Sequence, residues 1–142
     1  MRILLFALIA STLAFGQSLD ELNGKYGAAV SETFTVRTGI GVRVRNGPNG
    51  RIAEMLIFPM HADSLIQSRS MTFSHEIAKN VLDELLPASR RGKFVIGGFV
   101  DAFCMPEDDC AGSSEDYENI SIFYNSSAKP GQLCYVDVRF KK

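Results

Sequence analysis

The chain has no tryptophan, only two histidines and only three cysteines among its 142 residues. Two histidines exclude a three-histidine catalytic zinc centre, and three cysteines exclude a four-cysteine structural one. Charge of either sign is not in excess: the formal net charge is −1, without the basic surplus that general nucleic-acid binding requires. Beyond the first residues no apolar run approaches the roughly 20 residues of a spanning helix. The nucleophile elbow G-x-S-x-G, the dinucleotide fingerprint G-x-G-x-x-G and the phosphate loop G-x-x-x-x-G-K-[ST] do not occur after residue 16. These absences leave no recognisable catalytic set and imply no cofactor.

Met1 and Arg2 precede an apolar run from Ile3 to Phe15, ending at Ala14-Phe15-Gly16. A single positive charge, a short apolar stretch and small residues at −3 and −1 are the pattern of a cleavable secretory signal. The sequence therefore predicts removal of residues 1–16 and a single α+β domain over 17–142. It predicts a secreted or periplasmic location, with no membrane insertion after cleavage. No cysteine follows the cleavage point, which argues against a lipid anchor.

In an oxidising compartment a disulfide is expected, with one thiol left over. Cys104 and Cys110 flank the polar segment Met105–Asp109 and are the pairing expected first. Cys134 shares parity with Val136, Val138 and Phe140, which predicts a place on the buried face of a strand.

Ser18-Leu19-Asp20-Glu21 fits the capping box of a short helix. Glu32–Arg37 and Ile40–Arg45 alternate apolar and polar residues around Thr38-Gly39, a break that predicts either a β-bulge or a turn. The turn signal Asn46-Gly47-Pro48-Asn49-Gly50 then leads into a partner strand over Arg51–Phe58. Thr72 is the expected cap of the longest helix, with Phe73, Ile77, Ala78, Val81, Leu82, Leu85 and Leu86 in one stripe and Pro87 ending it. Phe94–Phe103 is a strand interrupted at Gly97-Gly98. Residues 104–118 form an acidic loop, and Tyr117–Asn125 and Gln132–Lys141 form a closing hairpin. The predicted fold is α+β: a single antiparallel sheet of about five strands, one long amphipathic helix packed on one face, and a short N-terminal helix.

Candidate sites are few. Arg43 and Arg45 lie on one strand face by period two and, with Arg37 and Arg51, suggest a patch for an anionic ligand. His61, Asp63, His75 and Glu76 form the weaker alternative of a metal or hydrolytic site. His75-Glu76 opens the zinc motif H-E-x-x-H, but the position of the second histidine is held by Lys79. Glu107, Asp108, Asp109, Glu115, Asp116 and Glu118 concentrate carboxylates near the C-terminal half without calcium-loop spacing. The function expected is a small non-enzymatic exported domain, binding a protein or anionic ligand through its exposed sheet face or the 104–118 loop. The alternative is a small secreted hydrolase or a metal-binding protein using His61 and His75.

Overall fold

A computed structural model describes residues 18–27, 33–47, 50–61, 71–101 and 111–142. The predicted signal, Asp63, Cys104 and Cys110 lie outside the described residues, and with them the expected disulfide.

Helix α1 (Leu19–Tyr26) begins as its capping box requires: the Ser18 hydroxyl accepts from the Glu21 amide at 3.2 Å. Strands β1 (Thr33–Arg37), β2 (Ile40–Asn46) and β3 (Ile52–Pro59) follow as an antiparallel meander. The β1–β2 turn is a two-residue loop in which Gly39 adopts φ +76°, a conformation that costs other residues steric strain. The two-residue β4 (Phe73–Ser74) leads into α2 (His75–Leu85) and the single turn α3 (Ala88–Arg91). The chain finishes with β5 (Phe94–Asp101), β6 (Ala111–Tyr117), β7 (Ile120–Ser126) and β8 (Gln132–Phe140). The sheet order is β1-β2-β3-β8-β7-β6-β5, with β4 paired to the start of β8, and every pairing is antiparallel.

The expected five-strand sheet under one long helix is therefore corrected. Among the described residues the sheet has eight strands and is accompanied by three short helices, the longest of 11 residues. Two local readings account for the difference, and a third changes the place of Cys134. Phe73 belongs to β4, opposite Leu133, so the helix cap is Ser74, whose hydroxyl accepts from the Ile77 amide at 3.1 Å. The segment Ala111–Tyr117, expected to be loop, is a strand paired on both sides. Its glycine, serines and carboxylates have little β propensity, and the ladder to β5 and β7 overrides that preference. Cys134 is half-buried instead of core, because the register of β7 against β8 shifts between Asn125 and Ser126. The bulge reverses the parity, so Leu133 is buried in its place.

Residues directly opposite in neighbouring strands share a face, so rows can be followed across the sheet. One row runs Val44, Met55, Val138, Ile122, Glu115, Gly97. Its first four members are buried beneath the helices. From α2 the residues Ala78, Val81, Leu82 and Leu85, at i, i+3, i+4 and i+7, complete that core, and Leu22 of α1 closes it. Beyond β7 the row turns half-buried at Glu115 and exposed at Gly97. The apolar core stops there, and β5 and β6 extend past it.

Candidate docking strand and its polar flank

Strand β5 is exposed throughout its described side chains, with Phe94 at 58 %, Val95 at 59 %, Ile96 at 65 % and Phe99 at 97 % of full accessibility. Phe94, Gly97 and Phe99 oppose Tyr117, Glu115 and Ser113 of β6, which places them on the helix-bearing face. Ile96 opposes Asp116 on the reverse face, and a bulge between Phe94 and Ile96 sets Val95 between the two. Apolar side chains thus project to both sides of one strand. The other edge of β5 pairs with no strand among the described residues. From Phe94 to Val100 it carries no charge and no proline, the features with which natural sheets block an edge.

Polar groups flank this strand where the core ends. The Tyr117 and Tyr124 hydroxyls both donate to Oε2 of Glu115, at 3.0 and 3.2 Å. Burial pushes the Tyr124 phenol well above the usual tyrosine range, with the Glu115 charge acting in the same direction. The imidazole of His75 lies 5.1 Å from the Tyr124 ring, and the Arg91 guanidinium lies 5.9 Å from the Tyr117 ring. Arg91 is buried, donates to the Leu86 carbonyl at 2.6 Å and is ion-paired with Asp83. Phe94 meets Tyr117 edge to face at 5.6 Å, with its ring lying over Gly97. These contacts hold the root of the β5–β6 hairpin to the helices. The two tyrosines hold the Glu115 carboxylate in place as an acceptor.

The four arginines do not converge. Arg37 donates to Glu84 of α2 at 3.1 Å, and Arg51 forms an isolated bridge with Ser18. Arg43 and Arg45 share the reverse face, in rows with Asp137 and with Glu54 and Arg139. Arg45 is paired to Glu54 at 2.5 Å, Arg139 to Asp137 at 3.0 Å, and Arg43 stacks on Phe58 at 5.2 Å. Glu54 and Asp137 therefore balance the positive stripe. Burial raises the Asp137 carboxyl above its ordinary range, against the lowering effect of Arg139. His61 follows β3 and is exposed; His75 and Glu76 occupy the exposed first turn of α2. Among the described residues no group of three or more His, Cys, Asp or Glu is placed to hold a metal ion. A groove of about 220 Å³ between α1 and α2 is lined by Glu21, Leu22, Lys25, Glu84 and Arg90. Its charges are spent on each other, Arg90 on Glu21 at 2.9 Å and Lys25 on Glu84 at 3.2 Å, and it is smaller than most small-molecule sites.

The sequence marked Phe94–Phe103 as a strand but not as an uncovered one. The signal was present: a strand with apolar residues of both parities and no charge is either central or unprotected, and alternation alone does not distinguish them.

No protein-family model matches the chain, and no curated protein matches it. A crystal structure that resembles it is a DUF4309 family protein (YjgB) from Bacillus subtilis subsp. subtilis str. 168, at 13 % identity and TM-score 0.45 over 87 % of this chain and 78 % of that one. A superposition at that level does not establish a common fold.

Proposed function

We propose that this chain is a non-enzymatic, extracytoplasmic binding domain that recognises a protein by strand addition to β5. The observation that carries the reading is the exposed apolar edge of β5, with Phe99 almost fully accessible. Main-chain groups along such an edge supply affinity, and side chains alternating to the two faces supply selectivity. The carboxylate pairing of Arg45 and Arg139 favours a protein partner over a small anion on the reverse face. The predicted signal residues and the expected cysteine chemistry agree with an exported domain of this kind.

The test is a photo-reactive phenylalanine analogue placed at position 99, and separately at position 35 on β1, in a cell that exports the protein. A discrete protein adduct is expected from position 99 and none from position 35, and Ile96→Lys should abolish it. Exported protein that yields no adduct from position 99 overturns the proposal.

A further inference from the structure

We infer that the protein strand docked on β5 carries a lysine or arginine opposite Gly97, and that Glu115 receives its cationic head. This rests on the reading of β5 as a docking strand and names the chemistry its partner must present there. Glu115 is half-buried, and the described partners of its carboxylate are two neutral phenols, both on Oε2. Oε1 accepts from no described group. The Arg91 guanidinium, near the Tyr117 ring, is paired with Asp83. Lys79 lies one helical turn from both His75 and Asp83 and is exposed. Among the described residues neither Lys79 nor His75 forms an ion pair with Glu115. The bonded network at the hairpin root thus holds one cation, Arg91, against two carboxylates, Asp83 and Glu115.

The sheet directs an incoming side chain to this carboxylate. Opposite residues of neighbouring strands share a face, so the residue set against Gly97 joins the row of Glu115 on the helix-bearing side. Gly97 has no side chain to block the path. The Phe94 ring lies over it, 3.1 Å from where a Cβ would stand, and offers the methylene stem of a basic residue an apolar surface. An added strand stands two inter-strand spacings from β6, about 9–10 Å, a gap that a long basic side chain and the glutamate side chain span together. Phe94 and Phe99 flank that path and are exposed, and aromatic rings attract ammonium and guanidinium groups. The open oxygen of Glu115 completes a charge-assisted hydrogen bond. An apolar residue in the same place would cover the carboxylate without supplying a counter-ion, which is costly, and an acidic one would repel it. Charge at this position thus adds a selectivity that the backbone ladder of strand addition does not have.

Fluorescence polarisation of the purified exported protein tests the inference. The probes are labelled short peptides of alternating threonine and valine that differ only in a central arginine, lysine, norleucine or glutamate. The arginine peptide is expected to bind about tenfold or more tighter than the norleucine peptide, with lysine next and glutamate weakest. Glu115→Gln keeps an acceptor for both phenols and removes the charge. It should erase the preference for arginine and leave the affinity of the norleucine peptide unchanged. Phe94→Leu, at an exposed position, should reduce the preference about two- to fivefold. Melting curves that match the wild type establish that each variant is folded. Equal binding of the arginine and norleucine peptides, or a preference that survives Glu115→Gln, overturns the cation site; β5 remains a docking strand if Ile96→Lys still abolishes binding. Failure of every peptide to bind at millimolar concentration also overturns the cation site, and the adduct from position 99 then decides the docking reading by itself.

Discussion

The two ends of the sheet are built on opposite terms. At one end β1 is short, its Phe34 is buried, and its Arg37 meets Glu84, which also accepts from Tyr26 at 2.9 Å and pairs with Lys25. Helix, strand and side-chain charge close that edge together. At the other end β5 has eight residues with apolar groups on both sides and, among the described residues, only β6 for a neighbouring strand. The buried core reaches across to β7, and beyond it the root of the hairpin is tied by Arg91 of α3, Tyr117 and Glu115. A sheet wider than its helical cover retains a strand whose burial must come from elsewhere. That is the physical content of the proposed function.

The contrast can be tested by stability, beginning with the largest effect. Leu82→Ala in the covered half removes a fully buried side chain and should cost about 2–5 kcal/mol, read as a lowered denaturant midpoint at unchanged slope. A loss under about 1 kcal/mol would mean that α2 does not seal the core. Gly112→Ala comes next. A Cβ at this β6 position would lie 2.5 Å from the Phe123 ring and 3.0 Å from the Tyr124 carbonyl, so overpacking should cost about 1–3 kcal/mol. Full tolerance would show that β6 is loosely packed on β7 at Phe123 and Tyr124.

The pH dependence should also differ between regions. Hydrogen bonds from Arg37, then Tyr26 and Lys25, hold the Glu84 carboxyl below its ordinary value. A depressed carboxyl stabilises the fold above its unfolded value of about 4.3 and loses that contribution as pH falls through the folded one. Asp137, raised by burial, has the opposite sign: the fold binds its proton more tightly, so its contribution is present at low pH and is lost as pH rises through the folded value. Glu84→Gln should therefore reduce the stability lost between pH 6 and pH 3. The change should be below about 1 kcal/mol, because this cluster is solvent-screened. Thermal melts across that range measure it, and identical acid profiles for variant and wild type would break the assignment. The smallest effect belongs to the uncovered end. Phe99→Ser should change the stability of the purified protein by no more than about 0.5 kcal/mol, read from the denaturant midpoint.

Several elements were legible before the fold was known. The Ser18 cap, the interruption at Thr38-Gly39, the apolar stripe of α2 (apart from Ile77, which is exposed) and the closing hairpin each depend on residues close in sequence, through a side-chain cap, a glycine or a period of 3.6 or 2. The readings that changed all involve partners far along the chain. Thr72 yielded to Ser74 because β8 claims Phe73; Ala111–Tyr117 became a strand because β5 and β7 lie on either side of it; Cys134 left the core at a bulge set by β7. Of the candidate site residues, the period-two placement of Arg43 and Arg45 was correctly legible as a shared face, but not the carboxylates opposite them.

By itself the amino-acid order determined the Ser18 start of α1, the break at Thr38-Gly39, the alternation of the central strands and the absence of any recognisable catalytic motif, because these are properties of neighbouring residues. Only the tertiary structure decided which strand lies at the margin and which face the helices leave bare. An apolar residue carries the same chemistry at the centre of a sheet as at its edge. Whether water or protein covers Phe99 depends on how far the helices extend over the sheet, and that distance follows from the packing of the whole domain.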